Sequence, residues 1–442
     1  MALRTKAWFR HQPLAPEGQL IRLFKVQYQR RRSESIHIQL QHFDLRRRPP
    51  SFKAISYLWG PPELFASVVI DGHEYTIRKN LYSFLQMISK DKKFCNSTWL
   101  WTDCISIDQS NLDERNQQVN QMSTIYKTAE QVLVWLGPSF PGGAKLTKAI
   151  NRWPHWWRRM PFGDPDLVLL NPFEEITNSR DQLLAPTKIL SDLEYWMRLW
   201  IQQEIVLARD IVLYISDRHF SWQNFMRFIN DITSNILPYY WGDSLICLNA
   251  TKLERERQEY RTAQSIDWLR GTDLPAFTLC SVPVDRFYGI LGLINPEQAI
   301  EVDYNLSVEE VCLRIVSRCI KQSRLRPGKQ EIERYLSIGE HVLYAALAKL
   351  LDCKRLRSYV HDEILKCWPD DGSSQGACDN EVNTYMLELR SRGHDRVSYC
   401  WFCANDGVPS GYYGPVHPRF GHVGRQSIPW PSKGESDSMQ IG

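Results

Sequence analysis

Between Ala54 and Leu136 the chain switches repeatedly from strand-like to helix-like hydrophobic periods, and this alternation constrains the fold more than any other feature. The run Ala54-Ile55-Ser56-Tyr57-Leu58-Trp59 reads as a strand closed by Gly60-Pro61-Pro62. Val68 to Ile70 and Tyr75 to Ile77 flank Asp71-Gly72, a pair suited to a tight hairpin turn with positive φ. Asn80 is placed to cap a helix with Leu81, Phe84, Leu85 and Ile88 on its apolar face. Trp99 to Ile107 then reads as a nearly continuous apolar strand interrupted by one acid, Asp103, as expected for a strand covered on both faces. Asn111 and Glu114 have capping-box spacing, and Val119, Met122, Tyr126 and Ala129 follow at helical intervals. Val132 to Leu136 is the next strand, stopped by Gly137-Pro138. Strand, helix, strand, helix, strand predicts an α/β sheet.

At 442 residues the chain exceeds the usual size of one hydrophobic core, so several domains are expected. The sequence divides into a basic leading segment at 1–50 with one strand, an α/β domain at 51–222, a mainly helical extension at 223–335, and a region at 336–442. Its tail from Asp370 is rich in Gly, Ser, Pro and Asp and is expected to be partly disordered. Residues 138–190 carry Pro, Gly and Trp without a clear period and read as a long insertion. A helix is predicted from Leu193 to Arg209, then a strand at Ile211 to Ile215 and a hairpin back through His219 to Trp222. Ser307 and Glu310 form a second capping box, before an apolar face of Val308, Val311, Cys312 and Ile315.

Charge excludes little but points away from nucleic acid. With 54 basic and 50 acidic residues the formal balance is only +4, and the triplets Arg30-Arg31-Arg32 and Arg46-Arg47-Arg48 read as solvated surface. No apolar stretch approaches the ~18 residues of a membrane span, and the first residues lack the apolar segment of a secretory signal. The 11 cysteines are scattered, several within apolar runs, which suits free thiols in a reducing, cytoplasmic setting.

Four blocks in order resemble the heterokaryon-incompatibility (HET) family of filamentous fungi. AISYLWG (Ala54 to Gly60) is similar to the family's Tyr-x-Ala-Leu-Ser-Tyr-x-Trp-Gly opening. LWTDCISIDQSNLDERNQQVNQMSTIY (Leu100 to Tyr126) with AEQVLVWLG (Ala129 to Gly137) resembles its Trp-Ile-Asp-x-x-Cys-Ile-Asn-Gln block and the helix and strand that follow. RLWIQQE (Arg198 to Glu204) matches Arg-x-Trp-x-x-Gln-Glu, and DRFYGILGL (Asp285 to Leu293) is like the Asp-Arg-x-Tyr-x-Leu-Leu-Gly-Leu that often follows the domain. Ser106 stands where the family often has cysteine, which argues against an obligatory thiol nucleophile, and Asp108 replaces the commoner asparagine. The resemblance implies a HET domain with a parallel-sheet core like that of Toll/interleukin-receptor (TIR) domains, flanking helices and an antiparallel hairpin. It also implies a role in non-self recognition and programmed cell death. Some TIR domains cleave NAD with a glutamate, so NAD is a candidate substrate; no cofactor is expected.

The polar residues of these blocks are the candidate site. Asp103, at the edge of an apolar strand, must have a partner, because an unpaired buried charge costs several kcal/mol. It is either a ligand-site acid beside Gln109 or a group that caps a loop or pairs with Arg198. Arg198, Trp200, Gln203 and Glu204 share the predicted helix. They can hold a nucleotide-like ligand with Glu204 as catalytic acid, or form a staple between helix and sheet. Tyr57, Trp59 and Gly60 either line a pocket or pack, with the glycine allowing a tight turn.

Cys400, Cys403, His417 and His422 have the spacing C-x2-C-x13-H-x4-H, but the surrounding Pro415 and Pro418 oppose a zinc-finger helix, and no metal site is expected. Phosphate-cradling, dinucleotide-binding, nucleophile-elbow and His-Glu-x-x-His motifs are absent from the sequence. Two functions follow from these readings. One is a signalling module acting through self-association or protein partners; the other is an NAD-consuming enzyme built on Glu204 and Asp103.

Overall fold

The computed structural model describes residues 8–15, 17–28, 35–152, 180–235, 248–266, 268–271, 278–308, 310–311, 314–315 and 318. Its strands are β1 (Leu20–Val26), β2 (Ile36–Asp44), β3 (Phe52–Tyr57), β4 (Phe65–Ile70), β5 (His73–Arg78), β6 (Trp99–Trp101), β7 (Gln131–Trp135), β8 (Ile211–Ile215) and β9 (Arg218–Ser221). They form a single mixed sheet in the order β5-β4-β2-β1-β6-β3-β7-β8-β9. Its centre, β6-β3-β7-β8, is parallel. The leading segment contributes two strands rather than the expected one, with β1 antiparallel to both β2 and β6. β2 continues the sheet by pairing parallel with β4. Antiparallel hairpins β4–β5 and β8–β9 finish the two sides. The first of these turns on Asp71 and Gly72, whose φ of +48° and +86° are what a two-residue hairpin of that twist requires.

The helices are α1 (Lys79–Ile88), α2 (Lys92–Ser97), α3 (Asp103–Ser106), α4 (Leu112–Thr128), α5 (Gly143–Arg152), α6 (Arg180–Ser191), α7 (Ile201–Val206), α8 (Trp222–Asn235), α9 (Leu248–Ala263), α10 (Trp268–Gly271) and α11 (Asp285–Tyr288). Both faces of the parallel strands are covered, which explains their near-continuous apolar sequences. Along β3, Phe52 and Ala54 join one core with α4 residues Met122 and Ile125, while Ile55 and Tyr57 join a second with α1 residues Phe84 and Leu85. Val132 and Val134 of β7 face the first core, and Leu133 and Trp135 the second. Period-two alternation thus serves two layers rather than a core and solvent.

Four local expectations change. The strand at Trp99 stops at Trp101 instead of running to Ile107. Asp103 starts a helical turn there: its carboxylate accepts from the Cys104 backbone N–H at 2.7 Å, and the Ser106 N–H returns to the Thr102 carbonyl at 2.9 Å. Asn80 does not cap α1, whose N-cap is Arg78. Its amide instead donates to the Leu58 carbonyl at 2.5 Å and accepts from the Trp135 indole at 2.8 Å. The long insertion carries α5 and α6 at its two ends. The predicted helix from Leu193 to Arg209 is two pieces, a 3-10 turn at Glu194–Met197 and α7, with Arg198 extended between them. The break is tertiary in origin, since the Leu199 N–H donates to the Leu279 carbonyl at 3.0 Å and the Leu279 N–H to the Met197 carbonyl at 2.5 Å.

The Asn111 cap holds, accepting from the Glu114 N–H at 3.1 Å, and the Ser307–Glu310 box closes in both directions at 2.7 and 3.2 Å. Among the described residues no helix is long and apolar enough to cross a membrane. The cysteine–histidine cluster at 400–422 and the tail from Asp370 lie outside the described residues.

Candidate functional site

The end of β3, the turn α3 and the segment around α7 meet at the carboxyl ends of the parallel strands. Gly60 takes φ +76°, a conformation glycine adopts without cost, and turns the chain away from β3. Its carbonyl accepts from Arg78 at 2.7 Å, and the Arg78 guanidinium sits 4.9 Å over the Trp59 ring. The Trp59 indole donates to the Asp103 carboxylate at 3.0 Å, and the other carboxylate oxygen accepts from Cys104 N–H and from the Thr102 hydroxyl at 3.2 Å. Gln109 closes the loop by donating to the Asp103 carbonyl at 3.1 Å. Asp103 therefore caps a turn and holds Trp59. Tyr57 is buried beside Cys104. Burial, with the Asp103 charge adding to it, pushes the Cys104 thiol up to about 12, so it is no nucleophile at neutral pH.

Behind Trp59 lies a second, drier cluster. Ser56 points to the α4 side of β3, where its hydroxyl donates to Glu204 in a short hydrogen bond and meets the Tyr195 hydroxyl at 2.6 Å. Arg198 spans the same carboxylate with contacts of 3.3 and 3.4 Å. The Glu204 residue is only 3% exposed. Burial raises its carboxyl above the ordinary range; the Arg198 charge and the Ser56 hydrogen bond oppose this and are outweighed. Arg198 reaches Glu204 from extended backbone rather than along a helix face, so the predicted i,i+3 and i,i+4 arrangement is not what joins them.

Trp200 and Gln203 turn toward the fourth sequence block. The Trp200 indole donates to Asp285 at 3.3 Å, and the same carboxylate accepts from the Tyr304 hydroxyl at 2.7 Å. The Gln203 amide donates to the Tyr288 carbonyl at 2.7 Å and accepts from the Gly292 N–H at 3.0 Å. A Cβ on Gly292 would lie 2.3 Å from both the Gln203 side-chain oxygen and Ser123 Cβ, so this approach needs glycine. Arg115 of α4 stacks 4.0 Å over the Tyr304 ring, and Asn116 accepts from the Tyr304 N–H at 3.1 Å.

One charged pair escaped sequence reasoning. Arg22 of β1, with a fully buried side chain, makes two hydrogen bonds to Glu114 of α4, at 2.5 and 2.9 Å. The same two terminal nitrogens also reach the Ser106 carbonyl at 2.9 Å and the Gln12 carbonyl at 2.5 Å, while the buried Nε has no partner among the described residues. Glu114 also accepts from the Asp108 N–H at 2.7 Å, so the pair fixes the loop that carries Gln109. The signal available was an arginine inside the apolar run Leu20–Val26; its partner lies 92 residues away.

A cleft of about 320 Å³ opens beside these clusters, between the loop after β3 and the loop after β7. Trp59, Gly60, Trp135 and Tyr195 are among its lining residues, whereas Asp103, Gln109, Arg198 and Glu204 are not. Among the described residues no group of three or more His, Cys, Asp or Glu is placed to hold a metal ion.

Comparison with known proteins finds similarity over part of the chain. The family model of heterokaryon incompatibility proteins (HET) matches residues 52–204, the span from β3 to Glu204. The curated Heterokaryon incompatibility protein 6, OR allele, of Neurospora crassa is 33% identical over 113 residues, 23% of this chain. The match spans only 16% of that relative's length. No solved structure matches the chain.

Proposed function

We propose that residues 52–204, which match the family model of heterokaryon incompatibility proteins, form a HET domain and that the chain is a fungal incompatibility protein. In this reading it is a cytoplasmic module of non-self recognition that triggers programmed cell death through self-association or a protein partner. The four parallel central strands suit the TIR-like core expected of such a module. The observation that carries the reading is where the motif side chains are engaged. Trp59 with Asp103, Arg198 with Glu204, Trp200 with Asp285 and Gln203 with Gly292 each join one sequence block to another or close a block on itself. Such residues make a rigid scaffold, and a signalling domain works by presenting a shaped surface. The test is inducible expression of the full chain in a filamentous fungal host. Growth arrest with uptake of a vital dye is expected, and unimpaired growth at a verified protein level would overturn the proposal.

The second reading, an NAD glycohydrolase, has one supporting feature. The raised Glu204 carboxyl suits a general acid, and Ser56 links it to Tyr195 at the cleft wall. Against it stands the geometry, because neither Glu204 nor Asp103 lines the cleft and Arg198 pairs with the Glu204 carboxylate. Incubation with NAD against a Glu204→Gln control decides the matter: equal, negligible nicotinamide release from both eliminates the enzyme.

A further inference from the structure

The segment before β1 takes no part in the signalling reading, yet its side chains reach the motif turn α3. A short helical turn leaves its last carbonyls without partners of its own, so they must be met from outside. In α3 each partner comes from a different element. The Tyr75 hydroxyl of β5 donates to the Cys104 carbonyl at 2.9 Å, the His11 imidazole to the Ile105 carbonyl at 2.8 Å, and Arg22 of β1 to the Ser106 carbonyl at 2.9 Å. Tyr75 and Arg22 are fixed in the sheet, whereas His11 belongs to the segment that precedes it. Residues 9–14 form a strap from the edge strand β5 to β1. The Phe9 N–H donates to the Glu74 carbonyl at 2.8 Å. The Phe9, His11 and Tyr75 rings meet edge to face with centroids 5.0 to 5.7 Å apart. The Gln12 carbonyl accepts from Arg22 at 2.5 Å, and Leu14 is buried.

The charges around His11 favour a neutral ring. A carbonyl only accepts, so Nε2 carries the proton and Nδ1 is bare in the neutral imidazole. Protonation adds a second N–H and a positive charge close to Arg22, whose guanidinium holds the neighbouring Ser106 and Gln12 carbonyls. The other groups facing this point are Glu114 of α4, Asp108 of the loop after α3, Tyr75 of β5, and His42 of β2, which pairs opposite Arg22. Glu114 is already committed to Arg22, and Asp108 accepts from Ser110. Burial, joined by the Arg22 charge, holds the imidazole below its ordinary value; the Ile105 hydrogen bond and the Asp108 and Glu114 carboxylates oppose this and are outweighed.

We propose that residues 9–14 are a pH-sensitive latch on α3, held closed by neutral His11 and released when its imidazole takes up a proton. Release frees the Ile105 carbonyl of the turn that carries Asp103, the acid that holds Trp59, so the latch acts on the motif turn. A group held below its ordinary value in the closed state contributes closure that is complete above pH ~6.5 and is lost as pH falls below it. The proposal rests on this cluster alone, so failure of growth arrest in a fungal host leaves it standing, and its own failure leaves the signalling reading standing.

Amide hydrogen exchange of the purified full chain, corrected for its intrinsic pH dependence, tests the latch at Phe9, whose N–H is bonded to β5 while the strap is closed. A free imidazole titrates near 6.5, so the opening constant at Phe9 should rise by up to about tenfold from pH 7.5 to pH 5.5. The amides of β7 should change by less than about twofold over the same range. His11→Gln keeps a side-chain N–H for the Ile105 carbonyl but cannot titrate, and should abolish the rise. His11→Lys carries a permanent charge and should open the strap already at pH 7.5. His42→Gln removes the other imidazole near Arg22 and should leave the rise in place. A parent whose Phe9 exchange does not respond to pH overturns the proposal, as does a strap that stays closed in His11→Lys. A rise that persists in His11→Gln, or disappears in His42→Gln, overturns it equally by placing the proton elsewhere. Should a variant fail to fold, the parent's own profile decides.

Discussion

Replacing Glu114 by alanine takes away the carboxylate that holds Arg22, and the geometry sets the size of the loss. The Arg22 side chain is 0% exposed, so it cannot recover solvation when its partner is removed. Two charge-assisted hydrogen bonds disappear, and the Asp108 N–H loses its acceptor. Leaving one member of a buried pair behind costs about 3–5 kcal/mol, a large share of the ~5–15 kcal/mol that stabilises a typical domain. Converting both residues to apolar groups of similar size, as Arg22→Met with Glu114→Leu, removes the stranded charge. The double variant should recover to within about 1–2 kcal/mol of the parent, and the cycle closed by the Arg22→Met and Glu114→Leu single variants should report a coupling of about 4 kcal/mol or more.

Urea unfolding at neutral pH, followed by tryptophan fluorescence and far-ultraviolet dichroism, measures each variant. Acid titration of the parent supplies a second reading of the same pair. Burial pushes the Glu114 carboxyl up, but its hydrogen bonds from Arg22 and from the Asp108 N–H, with the Arg22 charge, outweigh that and leave it below its ordinary value. A depressed folded-state value contributes stability that is complete above pH ~4.5 and is lost as pH falls below it. Glu114→Ala should lack that component of the acid transition. A single variant that loses less than about 1 kcal/mol, or a double variant in which the two losses simply add, would refute the reasoning.

Asp285 should act with the opposite sign: burial pushes its carboxyl from 3.8 up to about 6, against hydrogen bonds from Tyr304 and Trp200. The folded chain keeps a proton that the unfolded chain releases across that window, so this contribution is present below pH ~4 and is lost as pH rises through ~6, about 3 kcal/mol in all. Asp285→Asn should flatten the slope of melting temperature between pH 4 and pH 7, and an unchanged slope would contradict the assignment. Gly292→Ala should cost about 1–3 kcal/mol through overpacking against Gln203 and Ser123, read as a lower urea midpoint at unchanged slope. Gly137→Ala meets no atom within 4 Å, but its φ of +107° should still cost about 1–2 kcal/mol, which separates backbone strain from crowding.

What the sequence made legible was whatever repeats locally. Continuous apolar runs located β3 and β7, Asp71-Gly72 located a hairpin, and three-and-four spacing located α4 with its Asn111 cap. The misreadings share a different physics. β6 ends early because Asp103 finds a backbone N–H one residue on, which an apolar count does not weigh. The helix expected through Arg198 breaks because Leu279, far along the chain, pairs with its backbone. Asn80 looked like a cap and instead bridges Leu58 and Trp135, two groups that only the folded sheet brings together. Periods predict elements; they carry no information about which distant group a polar side chain will meet.

That distinction bears on how the motif residues are to be read. Trp200, Gln203, Asp285 and Gly292 are spread over two sequence blocks, yet in the fold they form one contact that ties α7 to the segment after it. Through Tyr304 the same contact reaches Arg115 and Asn116 on α4, the helix that also carries Glu114. Glu114 in turn holds the Asp108 N–H, and Gln109 and Trp59 both bond to Asp103, so these groups are joined by a continuous run of contacts. A motif variant that abolishes growth arrest is evidence for chemistry at that residue only if its stability is unchanged. Glu204→Gln is the informative case. Glutamine keeps the volume and an acceptor for Ser56 while removing the charge beside Arg198, so a loss of function tracking melting temperature marks Glu204 as part of the scaffold.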